Sequence, residues 1–218
     1  VCAHIDDMPS GSLAPGADDN ASGSVAVFAA AEVLRRYSFE RTLRFVLFTG
    51  EEQGLYGSDA YAAAAKAAGE TNLVALNLDM VAWDGNGDKV LNLYVRPGIA
   101  VELDAAATFT NVARVYGLAT GVVATVVQEA VDWSDHYSFN SYGLSAICLI
   151  EEDVADFNPY YHTTNDTLAR LNLPFFTHAT KALVGAAAHL ARPVQRLTFD
   201  AIRIQNGAFL AATNVGVG

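Results

Sequence analysis

Three side chains that suit metal binding follow the first two apolar segments of this 218-residue chain. His4 closes the first segment, and Glu51 and Glu52 come shortly after the second, residues 43–48. Two adjacent carboxylates at the end of a buried strand repel each other unless a positive charge lies between them. Imidazole and carboxylate groups together are ligands that zinc accepts. The pattern therefore raises the hypothesis that a cation binds between these groups.

Further groups of the same chemistry follow the later apolar segments. Asp18 and Asp19 stand in "PGADDNASG" directly before a predicted helix, Asp79 ends an apolar run, and His162 stands in "YYHTTND". Taken alone, an aspartate pair before a helix is typical of a helix cap. Asp79 is different, because a carboxylate at a buried strand end is costly without a partner. The set as a whole predicts a zinc site.

The elements that must position these groups alternate between strand-like and helix-like segments. Strands are predicted at 1–5, 42–49, 72–80, 89–95, 120–128 and 144–152, and helices over 20–36, 58–68, 98–116 and 174–192. Near-continuous apolar strands indicate burial on both faces. The fold class is therefore predicted as α/β, a three-layer sandwich with a mostly parallel mixed central sheet flanked by helices. Ligands bind beyond the C-terminal strand ends of such sheets.

Composition excludes several other classes. The net charge of −11, with only 13 Lys and Arg, argues against nucleic acid and anionic membrane surfaces as partners. No uninterrupted apolar stretch of about 18 residues is present, so no membrane span is predicted. Cys2 and Cys148 lie in apolar segments and are predicted to be buried thiols, although the sequence leaves a single disulfide open.

The chain is expected to hold one main domain and a short tail. The main domain is predicted over residues 1–193, with an N-terminal part missing. The opening segment "VCAHIDD" resembles the second half of a buried strand and does not resemble a signal peptide. The tail, 194–218, is expected to add extra strands or to begin a following region.

Six motifs in order resemble the M28 family of co-catalytic zinc aminopeptidases over residues 2 to about 190: "HIDD", "PGADDNASG", "TGEEQGLYGS", "NLDM", "SDH" and "YHTTNDT". The resemblance implies the zinc-dependent exopeptidase fold and two zinc ions per chain. It implies that His4 and Asp79 hold one ion and that Glu52 and His162 hold the other. It further implies that Asp18 bridges both ions, with a cis peptide bond between Asp18 and Asp19 in many members.

The same resemblance implies the chemistry. Glu51 would act as general base on a water shared by the two ions, and Tyr161 would donate to the developing oxyanion. Asp6 would accept a hydrogen bond from the ring nitrogen of His4 that does not bind zinc. Strand geometry agrees, because residues i and i+2 of a strand share a face, so Asp6 can reach His4 if the strand continues. Peptides with a free N-terminus would be the substrates, and many relatives are secreted. Four side chains are predicted to wall a pocket that favours hydrophobic N-terminal residues: Met80, Trp133, Phe139 and Phe157.

Other functions stay open at this stage. The same fold admits a single-zinc glutaminyl cyclase, a carboxypeptidase, and a non-catalytic binding module. A carboxypeptidase needs an arginine for the substrate carboxylate, for which Arg96, Arg114 and Arg170 are the candidates. A catalytic triad made of the adjacent residues 134–136 is rejected, because adjacent side chains cannot point at one another in line.

Overall fold

A six-stranded sheet forms the centre of the protein. The structure is a computed structural model that describes residues 1–8, 13, 15–71 and 73–194, and the backbone of 197–205 and 208–217. The strands follow the order β2-β1-β3-β6-β4-β5. Neighbouring strands of this sheet are parallel, except that β4 runs antiparallel to β6. In chain order they are β1 (Cys2–His4), β2 (Val46–Phe48), β3 (Val74–Leu78), β4 (Val90–Val95), β5 (Val123–Gln128) and β6 (Ser145–Glu151).

Helices cover both faces of this sheet. They are α1 (Gly23–Leu34), α2 (Tyr56–Ala67), α3 (Ala100–Val115), α4 (His136–Ser141) and α5 (Leu173–Ala191). The larger apolar core joins α1, α3 and α5 to one face, and a second core joins α2 and α4 to the other. Successive strand residues point to opposite faces, so Leu76 belongs to the first core and Ala75 to the second. Burial on both sides explains the continuous apolar runs and confirms the predicted three-layer α/β fold.

The first two helices begin at residues other than those predicted. The first helix begins at Gly23 rather than residue 20, because Asp19 and Asn20 have non-helical backbone angles within an irregular turn, Ala17–Ser22. The second helix begins at Tyr56, two residues before Ser58. The Ser58 hydroxyl therefore does not cap it and lies 2.8 Å from Ser138 Oγ in α4.

Cys2 and Cys148 are both buried free thiols, as predicted. Within the described residues, no helix is both long and apolar enough to cross a membrane. The backbone of the tail forms a separate antiparallel pair, β7 (Leu197–Gln205) and β8 (Ala208–Val217). The domain boundary at residue 193 stays a prediction.

Candidate metal centre and active site

The predicted chemical groups converge at one edge of the sheet. His4 ends β1, Asp79 follows β3 directly, and Glu51 and Glu52 lie in the turn between β2 and α2. These three strands are parallel and adjacent, so their C-terminal ends meet at the same edge. The loop that follows β6 brings His162 to the same place.

Two groups of potential metal ligands adjoin each other there. His4 Nε2 lies 3.2 Å from Asp79 Oδ1 and 3.3 Å from Asp19 Oδ1. His162 Nε2 lies 3.1 Å from Asp19 Oδ2 and 2.9 Å from Glu52 Oε2. Each carboxylate oxygen of Asp19 thus faces a different imidazole. Asp19 links one group containing His4 and Asp79 to another containing His162 and Glu52.

Asp18 does not occupy this linking position, in contrast to the prediction from the sequence. Its carboxylate is fully buried and accepts hydrogen bonds from the backbone N–H of Ala82 (3.0 Å) and from Asn158 Nδ2 (2.9 Å). The cis peptide bond likewise lies between Asp19 and Asn20, one residue later than predicted. The side chains of two adjacent aspartates diverge in this turn, and the sequence did not determine which of them faces the histidines.

Two polar side chains that the sequence analysis did not single out hold the turn in place. The Asp166 carboxylate accepts hydrogen bonds from the backbone N–H groups of Asp18 and Asp19 at 3.0–3.1 Å. Asn20 donates from Nδ2 to the Leu78 carbonyl (2.9 Å), which ties the turn to the end of β3. Neither Asn20 nor Asp166 stands out in the sequence, because the partners of both are distant along the chain.

Asp6 acts on the site through different atoms from those predicted. The ring Nδ1 of His4 lies 2.9 Å from the Asp6 backbone carbonyl, whereas the nearest Asp6 carboxylate oxygen is 3.9 Å away. The carboxylate instead accepts from the backbone N–H groups of Glu51 and Glu52, each at 3.3 Å. The prediction failed because β1 ends at His4, so strand alternation does not extend to Asp6. A carbonyl that accepts from Nδ1–H leaves Nε2 free to bind a metal.

Glycines shape the turn that carries the two glutamates. Gly50 has φ of 74°, a left-handed conformation that most residues avoid. A Cβ at Gly57 would lie 2.5 Å from the Thr49 carbonyl, so a larger residue does not fit there. Within this turn, Glu51 groups with His4 and Asp79, whereas Glu52 groups with His4 and Asp19.

Buried negative charge accumulates in the site. Burial and then the charge of Asp79 raise the pKa of Glu51 to about 9. Burial alone would lower the pKa of His4, but the carboxylates of Asp79 and Asp19 raise it to about 12. Glu52 Oε1 is buried and makes no hydrogen bond with the described residues, and His162 Nε2, although close to two carboxylate oxygens, makes none either. Atoms that can bind a metal and lack a hydrogen bond, next to carboxylates that repel one another, suit divalent cations, whose charge would balance that of the carboxylates.

A cavity of about 590 Å³ opens onto these groups. Met80, Trp133, Phe157 and Tyr161 line it, and Leu55 and Ile150 add apolar wall that the sequence did not indicate. Phe139 does not line the cavity.

The placement of Phe139 corrects the prediction for that residue. It lies on the face of α4 that packs into the second core, against Phe48 and Tyr61.

Tyr161 stacks on the His162 ring with centroids 3.6 Å apart, and burial and then the charge of Asp19 raise the pKa of its hydroxyl.

The "SDH" motif lies at the start of α4 and makes no triad. His136 Nε2 donates to the Val131 carbonyl (3.1 Å), and Ser134 Oγ accepts from Asn77 Nδ2 (2.8 Å). Both side chains are thus engaged with partners outside the motif.

We expect the metal-free protein to lose stability as the pH rises from 5 to 8. The pKa values of Glu51 (about 9) and Asp19 (about 7) exceed the value of about 4 in an unfolded chain, so the folded state holds protons that the unfolded state has lost. The raised pKa of His4 acts in the same direction above about pH 6.5. Thermal unfolding in the presence of a chelator should show a melting temperature about 5 °C lower at pH 8.

Zinc should reverse that trend, because protons compete with the metal for the same ligands and this competition weakens as pH rises. The stabilisation gained on adding zinc should therefore be larger at pH 8 than at pH 5. A melting temperature of the metal-free protein that rises over this interval would contradict the assignment of raised pKa values.

The three-layer fold and the carboxylate–imidazole groups at its strand ends define an α/β protein with a candidate metal centre. The chain matches the family model of peptidase family M28 over residues 1–187. It belongs to that family.

Relatives of known name support this placement. Leucine aminopeptidase 1 of Trichophyton rubrum is 32% identical over 204 residues, which are 88% of this chain and 54% of that protein. The aminopeptidase of Aneurinibacillus sp. strain AM-1 is 31% identical with a TM-score of 0.68, covering 88% of this chain and 43% of that one. The zinc aminopeptidase BSAP of Bacillus subtilis shares the fold at 24% identity, with a TM-score of 0.72 over 88% of this chain and 45% of its own. The chain thus spans about half the length of the curated relatives it matches.

Proposed function

We propose that this protein is a zinc aminopeptidase that removes N-terminal residues from peptides and uses two zinc ions. The observation that carries the proposal is the position of Asp19, whose two carboxylate oxygens lie within 3.3 Å of different imidazoles. One carboxylate shared by two ligand groups is the arrangement that a pair of metal ions needs. His4 and Asp79 would hold one ion, Glu52 and His162 the other, and Asp19 both. Paired zinc ions supply Lewis acidity and lower the pKa of water.

Glu51 is proposed as the general base. Its carboxylate lines the cavity beside both ligand groups, and burial raises its pKa to about 9 with only protein charges present. A nearby cation would bring that pKa down towards neutrality, where a carboxylate can both accept and return a proton. Glu51 would take a proton from the attacking water and pass it to the leaving amine. Its backbone N–H, bonded to the Asp6 carboxylate, keeps it in position.

Tyr161 is proposed to hydrogen-bond the oxyanion. Its ring stacks on His162 and the residue lines the cavity, so its hydroxyl would be available to a substrate carbonyl bound beside the ligand groups. A donor placed where negative charge develops stabilises the transition state.

The substrate would be a peptide with a free N-terminal ammonium group. Six carboxylates line the cavity, two more than a pair of divalent ions would neutralise, so the cavity favours a cation: Asp19, Glu51, Glu52, Asp79, Asp132 and Asp153. The apolar wall formed by Met80, Trp133, Ile150 and Phe157 favours N-terminal residues with a large hydrophobic portion. An extracytoplasmic location, taken from the family resemblance, belongs to the same proposal.

The cavity lining favours this function over a carboxypeptidase. Among the described residues, no Lys or Arg lines the cavity. Arg96 is engaged with the buried Glu102 carboxylate and with the carbonyls of Asn140 and Leu144. Arg170 lies over the Tyr160 ring at 4.3 Å. None of these groups is placed to receive a C-terminal carboxylate.

The two remaining alternatives fit the site less well. A glutaminyl cyclase needs one zinc, whereas the site offers two adjoining ligand groups. A non-catalytic binding module has no need of the partly buried Glu51 carboxylate beside them.

Metal analysis combined with a panel of amino-acid amides tests the proposal. We expect about two zinc ions per chain, the number that a co-catalytic site requires. A chelator should abolish hydrolysis of leucine amide, and zinc should restore it. N-acetylated leucine amide is the matched control and should not be cleaved, because it has no free ammonium group. One zinc per chain with release of ammonia from N-terminal glutamine peptides would instead favour the cyclase.

A further inference from the structure

The cavity wall carries two further carboxylates outside the two ligand groups. Asp132 and Asp153 also line the cavity, and neither belongs to the two ligand groups. We propose that Asp153, supported by Asp132, binds the positively charged end of a lysine or arginine side chain at the substrate's N-terminus. This inference rests on the proposed aminopeptidase function and names a substrate class for it.

Asp153 is held in a fixed position by two neutral donors. Tyr94 Oη lies 2.9 and 2.8 Å from its two carboxylate oxygens, and Asn92 Nδ2 donates to Oδ1 at 2.8 Å. Neither partner is a cation, so the charge of Asp153 remains uncompensated by an ion pair within the described residues. A carboxylate fixed by neutral groups is prepared to receive a positively charged ligand.

The surface between Asp153 and the ligand groups is apolar. Met80, Tyr94, Cys148 and Ile150 form a small buried cluster below the cavity, on the face shared by β4 and β6. Trp133 packs edge-on against Tyr94 with centroids 5.4 Å apart and lines the cavity beside it. Lysine and arginine place their long apolar stems along such surfaces while the charged end reaches a polar group.

The sheet topology sets the reach that this requires. Asp79 follows β3, and the two residues that hold Asp153 lie on β4, two strands further along the sheet. Asp153 itself follows β6, the strand between these two, and its carboxylate is bonded to side chains on β4. Neighbouring strands lie about 4.8 Å apart, so the carboxylate lies about one to two strand spacings, or 5–10 Å, from Asp79 across the sheet. A short residue bound at the zinc ligands would not span this distance, whereas a long basic one extends towards Asp153. The hydrophobic preference proposed above then applies to the apolar stem of the N-terminal lysine or arginine side chain.

Asp156 provides a matched control in the same loop. Its carboxylate accepts from Trp83 Nε1 (3.2 Å) and from the Asn86 backbone N–H (2.9 Å), and it does not line the cavity. Changing Asp156 to Asn removes the same charge three residues away without touching the proposed subsite.

The test compares lysine amide with norleucine amide, whose side chain has the same four-carbon stem without the ammonium group. For the zinc-loaded wild type we expect a higher kcat/KM on lysine amide. Asp153→Asn should reduce the lysine-to-norleucine ratio by about fivefold to tenfold, since a partly exposed charged hydrogen bond is lost. Asp132→Asn should reduce it less, and Asp156→Asn should leave it unchanged.

A binding measurement separates this inference from the proposed function. Calorimetry with free lysine and norleucine should show the same order of affinity and the same loss in Asp153→Asn, with or without turnover. An unchanged ratio in Asp153→Asn, or an equal fall on both amides as expected if Asp153 bound the α-ammonium group, would overturn the inference while leaving the aminopeptidase proposal standing. A wild type inactive on every amide would overturn the proposed function, and the calorimetric comparison would still decide the role of Asp153.

Discussion

Glu51→Gln is expected to lower kcat on leucine amide by about 10²–10⁴-fold, the usual contribution of general acid–base catalysis. Glutamine has nearly the same shape as glutamate but accepts no proton at neutral pH. The backbone N–H of residue 51 would still donate to Asp6, so the turn should keep its conformation. Steady-state kinetics with the zinc-loaded variant measures the effect.

Zinc content is the decisive control for this variant. Glu51 lies within reach of His4 and Asp79, so the geometry alone also allows it to bind metal. The proposed base predicts unchanged zinc content together with lost turnover. Loss of zinc would make Glu51 a ligand instead, and turnover within a few-fold of the wild type would exclude it as the base. Glu40→Gln, at an exposed glutamate remote from the cavity, should match the wild type in both measurements.

The second large effect is expected from two neighbouring aspartates that should behave differently. Asp19→Asn removes charge from the carboxylate that faces both imidazoles, so the zinc content should fall by at least one ion per chain. Activity should fall at least 100-fold, because the loss of a direct ligand should exceed the 10–100-fold effect of outer partners. Elemental analysis after dialysis against buffered zinc, together with kinetics, checks both results.

Asp18→Asn makes the same change of charge one residue earlier. Zinc content should be retained, because the Asp18 carboxylate bonds to Ala82 and Asn158 and to neither histidine. Unfolding should instead require about 1–3 kcal/mol less, since an amide nitrogen would replace one buried acceptor. If Asp18→Asn lost zinc and Asp19→Asn kept it, the linking position assigned to Asp19 would be wrong.

Local sequence patterns were sufficient to locate most elements of the fold. The apolar strands could be read because burial on both faces leaves few polar residues between their ends. Element boundaries were less certain where side chains from distant parts of the chain take part. The start of α1 depends on the turn pinned by Asp166, which lies 147 residues after Asp19.

The chemical groups of the site could likewise be identified, but not all of their positions. His4, Glu51, Glu52, Asp79 and His162 stand at predicted strand or loop ends, and the topology of an α/β sheet brings such ends together. Phe139 illustrates the limit of this reasoning. Its type suits a substrate pocket, but only the packing of α4 against α2 shows that it faces the core.

The sequence by itself determined the layered α/β fold, the residue types of a zinc site and the edge of the sheet where they gather. These features depend on hydrophobic periodicity and on which residues follow each apolar segment, which are local properties of the chain. Only the tertiary structure decided between Asp18 and Asp19, separated the backbone and carboxylate roles of Asp6, and placed Asp153 in the cavity wall. Each of those outcomes depends on hydrogen bonds between residues far apart in the chain, and no local pattern specifies such partners.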